Sequence, residues 1–288
     1  NQDISKLKPR TIMKELGLKR RELDLLAGCP PCQGFSSIKT RNKAYDEDQR
    51  NDLIFEFVRF VKAFLPKSIM LENVVGLSKY PGFTDFLKQL EEMGYILTHK
   101  ICDVADYGVP QRRKRLICIG GLNQAIDLAE PLATRVHVRE TIGILPIPAK
   151  SDDPLHNYPT RHSDLVMKRI KAVPHDGGSR ASWSNKLQLT CHKDMNGFRD
   201  VYGRMAWDDV APTITCGCYN PSKGRFLHPD QDRAISLREA ALLQGFPIDY
   251  YFPMQKTIAG TMIGNALPPP FITHHAKAIA QHLKRKKD

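Results

Sequence analysis

Between Leu23 and Ile119 short apolar runs alternate with segments of helical periodicity, and this restricts the fold more than any other feature of the 288 residues. Leu23 to Ala27 (LDLLA) reads as a strand that ends at Gly28. Over 46–65, Leu53, Ile54, Phe57, Val58, Val61, Phe64 and Leu65 recur at helical spacing, and Pro66 stops the run. Ser68 to Leu71 is the next strand, and a helix is predicted around 83–93. Tyr95 to Cys102 and Leu116 to Ile119 read as two further strands. Strands that alternate with helices predict a mostly parallel α/β sheet.

From Leu122 to Pro229 the pattern breaks down into Pro, Gly, His and short polar runs, while Trp183, Tyr202, Trp207 and Phe226 persist. Retained aromatics indicate an irregular packed domain rather than a linker. After it, Ser236 and Glu239 form a capping box that opens a helix, and Gly245 closes it. A second amphipathic helix follows Pro270, with Phe271, Ile272, Ala276, Ile279 and Leu283 on one face. The expected organisation is an α/β domain over 1–122, an irregular domain over 123–230, and a segment 231–288 that returns to the first.

The net charge is +12, which favours a polyanionic partner. No apolar run reaches the ~18 residues of a membrane span, and the first residues lack the apolar core of a signal peptide. The seven cysteines form no regular framework, so a reduced, cytoplasmic setting is expected.

Cys29-Pro-Pro-Cys32 leaves three readings open: a redox pair, half of a zinc site, or a nucleophile with a bystander. Zinc needs a second pair, and Cys216-Gly-Cys218 has the wrong spacing. Cys32 follows the carboxyl end of a strand, the edge where open α/β sheets hold their ligands. Glu72, in 71-LENVVG-76, follows the next strand and reaches the same edge. The basic cluster 111-QRRKR-115 runs into a strand whose beginning faces that edge if it returns antiparallel. Taken singly, each has a plain alternative: a buried thiol, a solvated carboxylate, a surface basic patch.

The ordered series Pro31-Cys32-Gln33-Gly34-Phe35-Ser36, Glu72-Asn73-Val74, Gln111-x-Arg113-x-Arg115, Leu237-x-Glu239 with Gln244-Gly245-Phe246-Pro247, and Gly264-Asn265 resembles the motifs of the DNA cytosine-5 methyltransferases across nearly the whole chain. The resemblance implies a Rossmann-like S-adenosylmethionine-dependent methyltransferase fold with an inserted target-recognition domain over 123–230. It further implies methyl transfer from S-adenosylmethionine to carbon 5 of cytosine in a specific sequence of double-stranded DNA, in a bacterial or phage restriction-modification setting. Cys32 would be the nucleophile, Glu72 the carboxyl group at ring nitrogen 3, and Arg113 and Arg115 the holders of the base oxygen. Asp3, Ile4 and Asn265 would contact the methyl donor. No metal is implied, and the target base must leave the stack.

One departure stands out. The family's opening strand and glycine-rich donor loop have no counterpart; Asp24-Leu25-Leu26-Ala27-Gly28 mimics the loop, but prolines follow it. Three explanations remain open: a fragment of a longer enzyme, which is favoured, a subunit whose partner chain supplies the loop, or a donor-deficient DNA-binding homologue. The rival outside the family is a thiol redox or zinc protein built on Cys29 and Cys32.

Overall fold

The computed structural model describes residues 2–31, 53–158, 160–189 and 200–285. Backbone packing divides the chain into two units: Asn1–Asp103 with Lys114–Glu130 and Thr273–Asp288, and Val104–Arg113 with Pro131–Ile272. The second unit thus continues through Ile272 rather than ending near residue 230.

The first unit is built on a four-stranded sheet, β1 (Leu25–Gly28), β2 (Ser68–Val74), β3 (Tyr95–Asp103) and β4 (Lys114–Leu122), in the order β1-β2-β4-β3. β1 and β2 are parallel, joined through α2 (Leu53–Phe64), whereas β2–β4 and β3–β4 are antiparallel. The expected mostly parallel sheet is therefore corrected to a mixed one. Only about ten residues join β3 to β4, too few for the crossover helix that a parallel return requires.

The helical spacing read in the sequence is the buried face of α2, where Ile54, Phe57, Val58, Phe60, Val61 and Phe64 point inward. Each such burial is worth about 1.5–3 kcal/mol. The helix leaves through Leu65 at φ 46° and stops before Pro66. Residues 46–52 of the predicted helix lie outside the described residues. α3 (Pro81–Glu92) adds Phe83, Phe86 and Leu90 to the same core as Ile69, Leu71 and Leu116. A short helix before β1, α1 (Pro9–Glu15), was not anticipated.

The second unit is irregular and has a core of its own. α4 (Val138–Ile142) and α5 (Asp164–Lys171) are its first helices, with 3-10 turns between loops. α6 (Leu237–Leu243) carries both halves of the predicted capping box: Ser236 Oγ accepts from the Glu239 amide at 3.0 Å, and the Glu239 carboxylate accepts from the Ser236 amide at 2.7 Å. Gly245 follows at φ 88°, where a side chain is disfavoured. α7 (Lys256–Asn265) packs against the chain at 215–216 so closely that a Cβ on Gly264 would lie 2.2 Å from the Cys216 nitrogen. α8 (Pro269–Arg285) contributes its residues from Thr273 onward to the first unit.

Candidate active site

In the first unit, the parallel register pairs Gly28 with Leu71, so Cys29 leaves the end of β1 beside Glu72 on β2. α2 lies directly on this strand end, where a Cβ on Gly28 would meet the Phe57 ring at 2.6 Å. β4 approaches β2 from the other side, with Glu72 opposite Ile117 and Val74 opposite Arg115. Arg115 is thus diagonal to Glu72 on the same sheet face, since strand side chains alternate. Its Nε is 2.9 Å from Glu72 Oε1, and both side chains are largely buried. Burial draws Arg115 below its ordinary value, and the Glu72 carboxylate opposes this. A guanidinium nevertheless stays charged in a protein.

Cys29 approaches the same carboxylate from β1. It keeps solvent access, yet burial by the surrounding protein pushes its thiol up to about 12, and the negative charge of Glu72 pushes in the same direction. Asn73 Nδ2 donates to the Pro30 carbonyl at 3.1 Å, and its Oδ1 accepts from the Val74 amide at 2.7 Å. The turn after β1 is therefore tied to the strand that carries Glu72.

The remaining predicted site residues fall as follows. Cys32 lies outside the described residues. Arg113 belongs to the second unit, where it is buried and donates from Nη1 to the Ile214 carbonyl and from Nη2 to that of Gly264, each at 3.1 Å. Gln111, also fully buried, donates to the Leu243 carbonyl at 3.1 Å and to Gln244 Oε1, and accepts from the Ile214 amide at 2.9 Å. Alternate residues of the basic motif are thus committed to the interior of that unit, while Arg115 meets Glu72. Asn265 accepts from the Cys216 thiol at 3.2 Å in the second unit. Asp3, in the first, caps a 3-10 turn (Ile4–Lys6) by accepting from the Ser5 amide at 3.0 Å and hydroxyl at 2.8 Å. These bonds hold its carboxyl below the usual range. Both fall on Oδ1, so Oδ2 has no partner among the described residues, and Ile4 beside it is 41% exposed.

Among the basic residues of the irregular segment, Arg204 has no solvent exposure; its guanidinium donates to the carbonyls of Val173, His228, Gln231 and Ile170 and to Asp232. It is an internal strut. Arg199 lies outside the described residues, and Arg180 stands in a 3-10 turn (Arg180–Ser182). A hollow of about 1060 Å³ in the first unit is rimmed by Lys8, Arg10, Lys14, Arg20, Arg59 and Lys62, with no carboxylate in its lining. No group of three or more His, Cys, Asp or Glu among the described residues is placed to hold a metal ion, and no described helix is long and apolar enough to cross a membrane.

The fold is that of the Rossmann-like S-adenosylmethionine-dependent methyltransferases. Two solved structures share it: a candidate DNA modification methyltransferase encoded in an E. coli prophage (TM-score 0.71, 23% identity, 99% of this chain and 85% of that one) and the Entamoeba histolytica methyltransferase EhMeth (0.62, 16%, 98% and 83%). The chain belongs to the C-5 cytosine-specific DNA methylases, whose family model matches residues 1–281, and it is a DNA (cytosine-5) methyltransferase. The type II methylase M.HgiDII of Herpetosiphon aurantiacus is 38% identical over 91% of this chain and 76% of its own length. The type II methyltransferase M1.HphI of Haemophilus parahaemolyticus is 31% identical over 96% and 73%.

Proposed function

We propose that this methyltransferase acts on carbon 5 of a cytosine flipped out of a specific double-stranded DNA sequence, through a covalent adduct on Cys32, as the modifying half of a restriction-modification pair. Carbon 5 is a weak nucleophile until a thiolate adds to carbon 6. The Cys32 sulfur forms that bond, ring nitrogen 3 takes up a proton, and carbon 5 gains enamine character. Carbon 5 then bonds the methyl carbon as the methyl–sulfonium bond breaks. Loss of the carbon-5 proton to a base returns the electron pair that expels the thiolate, and ring nitrogen 3 gives back the proton it took up.

The row Cys29–Glu72–Arg115 at the sheet edge supports this reading most strongly. Glu72 is the carboxyl group that shares a proton with ring nitrogen 3. Arg115, held against it, has donors to offer the base oxygen and the charge that develops on the ring. Arg113 ties the chain at Ile214 to the end of α7 through the carbonyls of Ile214 and Gly264. The irregular segment 123–230 reads the DNA sequence, with basic side chains on phosphates.

S-adenosylmethionine, when bound, supplies the electrophilic methyl group. Asp3 and Ile4 fit its adenine: Oδ2 has acceptor capacity to spare for an amino group, and Ile4 offers an exposed apolar surface for a flat ring. Asn265, in the second unit, is a further proposed donor contact.

The high-lying Cys29 thiol weighs against a redox pair, which needs a readily ionised cysteine. Bisulfite sequencing of DNA from cells that express the full gene tests the reading. It should show one methylated sequence context in the presence of the enzyme and none with Cys32→Ser. Unmethylated DNA from cells that make the intact enzyme would refute it.

A further inference from the structure

α7 ends at Asn265, and the last carbonyls of a helix have no partner within it. Side chains from elsewhere in the second unit take up two carbonyls at this end. Arg113 Nη2 donates to that of Gly264 at 3.1 Å, and Gln244 Nε2 donates to that of Ala266 at 2.6 Å. The backbone on either side of Asn265 is thereby held, and only its side chain is left to be fixed. Cys216 stands against it. Its Sγ lies 3.2 Å from Asn265 Oδ1 and 3.9 Å from the Thr261 carbonyl, one turn back on the same helix face. The thiol comes this near because Gly264 has no side chain: a Cβ there would stand 2.2 Å from the Cys216 nitrogen. A carboxamide has a carbonyl end that accepts and an NH2 end that donates. With Oδ1 taken by the S–H, the NH2 end is turned away from the thiol. Asn265 is exposed, and its Nδ2 has no partner among the described residues.

Resting on the methyl-transfer reading above, in which Asn265 contacts S-adenosylmethionine, we propose that Cys216 is a positioning residue for the binding of that cofactor. Its S–H orients the Asn265 carboxamide so that the NH2 end, not the carbonyl, meets an acceptor atom of S-adenosylmethionine. Cys216 itself touches neither cofactor nor base and undergoes no covalent change. Without the S–H the carboxamide is free to turn over and present its oxygen to that acceptor, which repels it. A serine hydroxyl can make the same bond to Oδ1, and an alanine methyl group cannot. A role in packing alone gives serine no advantage over alanine in cofactor affinity.

The test measures the Kd of S-adenosylhomocysteine by calorimetry on the full-length enzyme without DNA. The parent, Cys216→Ala, Cys216→Ser, Asn265→Ala and the double variant Cys216→Ala/Asn265→Ala are compared. Thermal unfolding checks the folding of each, and KM for DNA supplies a readout remote from the cofactor. Cys216→Ala should raise Kd about fivefold, the worth of one hydrogen bond, and Cys216→Ser by less than about twofold. KM for DNA should stay near that of the parent in both. The double variant should match Asn265→Ala alone, because Cys216 acts only through that carboxamide. Unaltered Kd in Cys216→Ala, equal loss in Cys216→Ala and Cys216→Ser, or additive losses in the double variant would overturn the inference and leave the methyl-transfer reading intact. Failure of the parent enzyme to bind S-adenosylhomocysteine would overturn that reading, and unaltered Kd in Asn265→Ala would remove Asn265 from the cofactor site; the role of Cys216 falls with either.

Discussion

Arg115 Nε lies 2.9 Å from Glu72 Oε1, diagonally across the antiparallel pair that joins β2 and β4. With so little of either side chain in water, each charge depends on the other. Truncation of one partner leaves an uncompensated charge in a poorly solvated place. Arg115→Ala should therefore destabilise the protein by about 2–4 kcal/mol in urea unfolding. Glu72→Gln keeps the shape but cannot give up a proton to the ring, and its kcat should fall by about 10²-fold or more. Parent-like stability in the first or parent-like kcat in the second would contradict the arrangement.

Gly264 is where α7 touches the neighbouring backbone. A Cβ there would stand 2.2 Å from the Cys216 nitrogen and 2.4 Å from the Thr215 carbonyl carbon, and neither can move aside as a flexible side chain would. Gly264→Ala should cost about 2–3 kcal/mol, seen as a lowered Tm, because backbone must shift to admit it.

Arg204 should behave as part of the core. Its guanidinium serves four carbonyls and Asp232, so Arg204→Ala strands buried acceptors as well as removing a charge. A loss of about 3–5 kcal/mol is expected. The salt dependence of DNA binding by the folded fraction should be unchanged, whereas a lost phosphate contact would reduce its slope by about one.

Stability should fall as pH drops from about 6.5 toward 4. Burial lowers His228 to about 4 against the opposing pull of the Glu239 carboxylate, with Arg233 adding to the lowering, and burial likewise lowers His275 to about 4. Between about 4 and 6.5 the unfolded chain binds protons at these histidines and the folded protein does not. Folding is therefore favoured above this window and progressively disfavoured within it. Urea midpoints at pH 7 and pH 5 check the sign: equal midpoints, or a higher one at pH 5, would contradict it.

Local signals were the legible ones. α2 was readable from its apolar stripe and α6 from Ser236, Glu239 and Gly245, because each signal lies within a few residues of the element it shapes. Glu72 and Arg115 were readable as neighbours because an antiparallel return carries the start of β4 to the carboxyl end of β2. α7 was not: two glycines in KTIAGTMIGN weaken a helix by propensity, and their purpose, close approach to residues 215–216, is a tertiary fact. The work of Arg113 was hidden for a similar reason, since the carbonyls of Ile214 and Gly264 that it holds stand 101 and 151 residues away in the chain. A basic residue in a sequence does not disclose whether it faces water, and Arg204, fully buried, is such a case. The sheet's direction was misread because alternation alone does not separate a crossover from a short return.

The central claim is that the thiol of residue 32, and no other, attacks the target base. Full-length enzyme incubated with S-adenosylmethionine and a duplex carrying 5-fluorocytosine at the target position should form a denaturation-resistant complex. Peptide mapping of that complex by mass spectrometry should locate the modified pyrimidine on Cys32. An adduct on Cys29, or no adduct with a duplex whose unfluorinated form is methylated, would contradict the account.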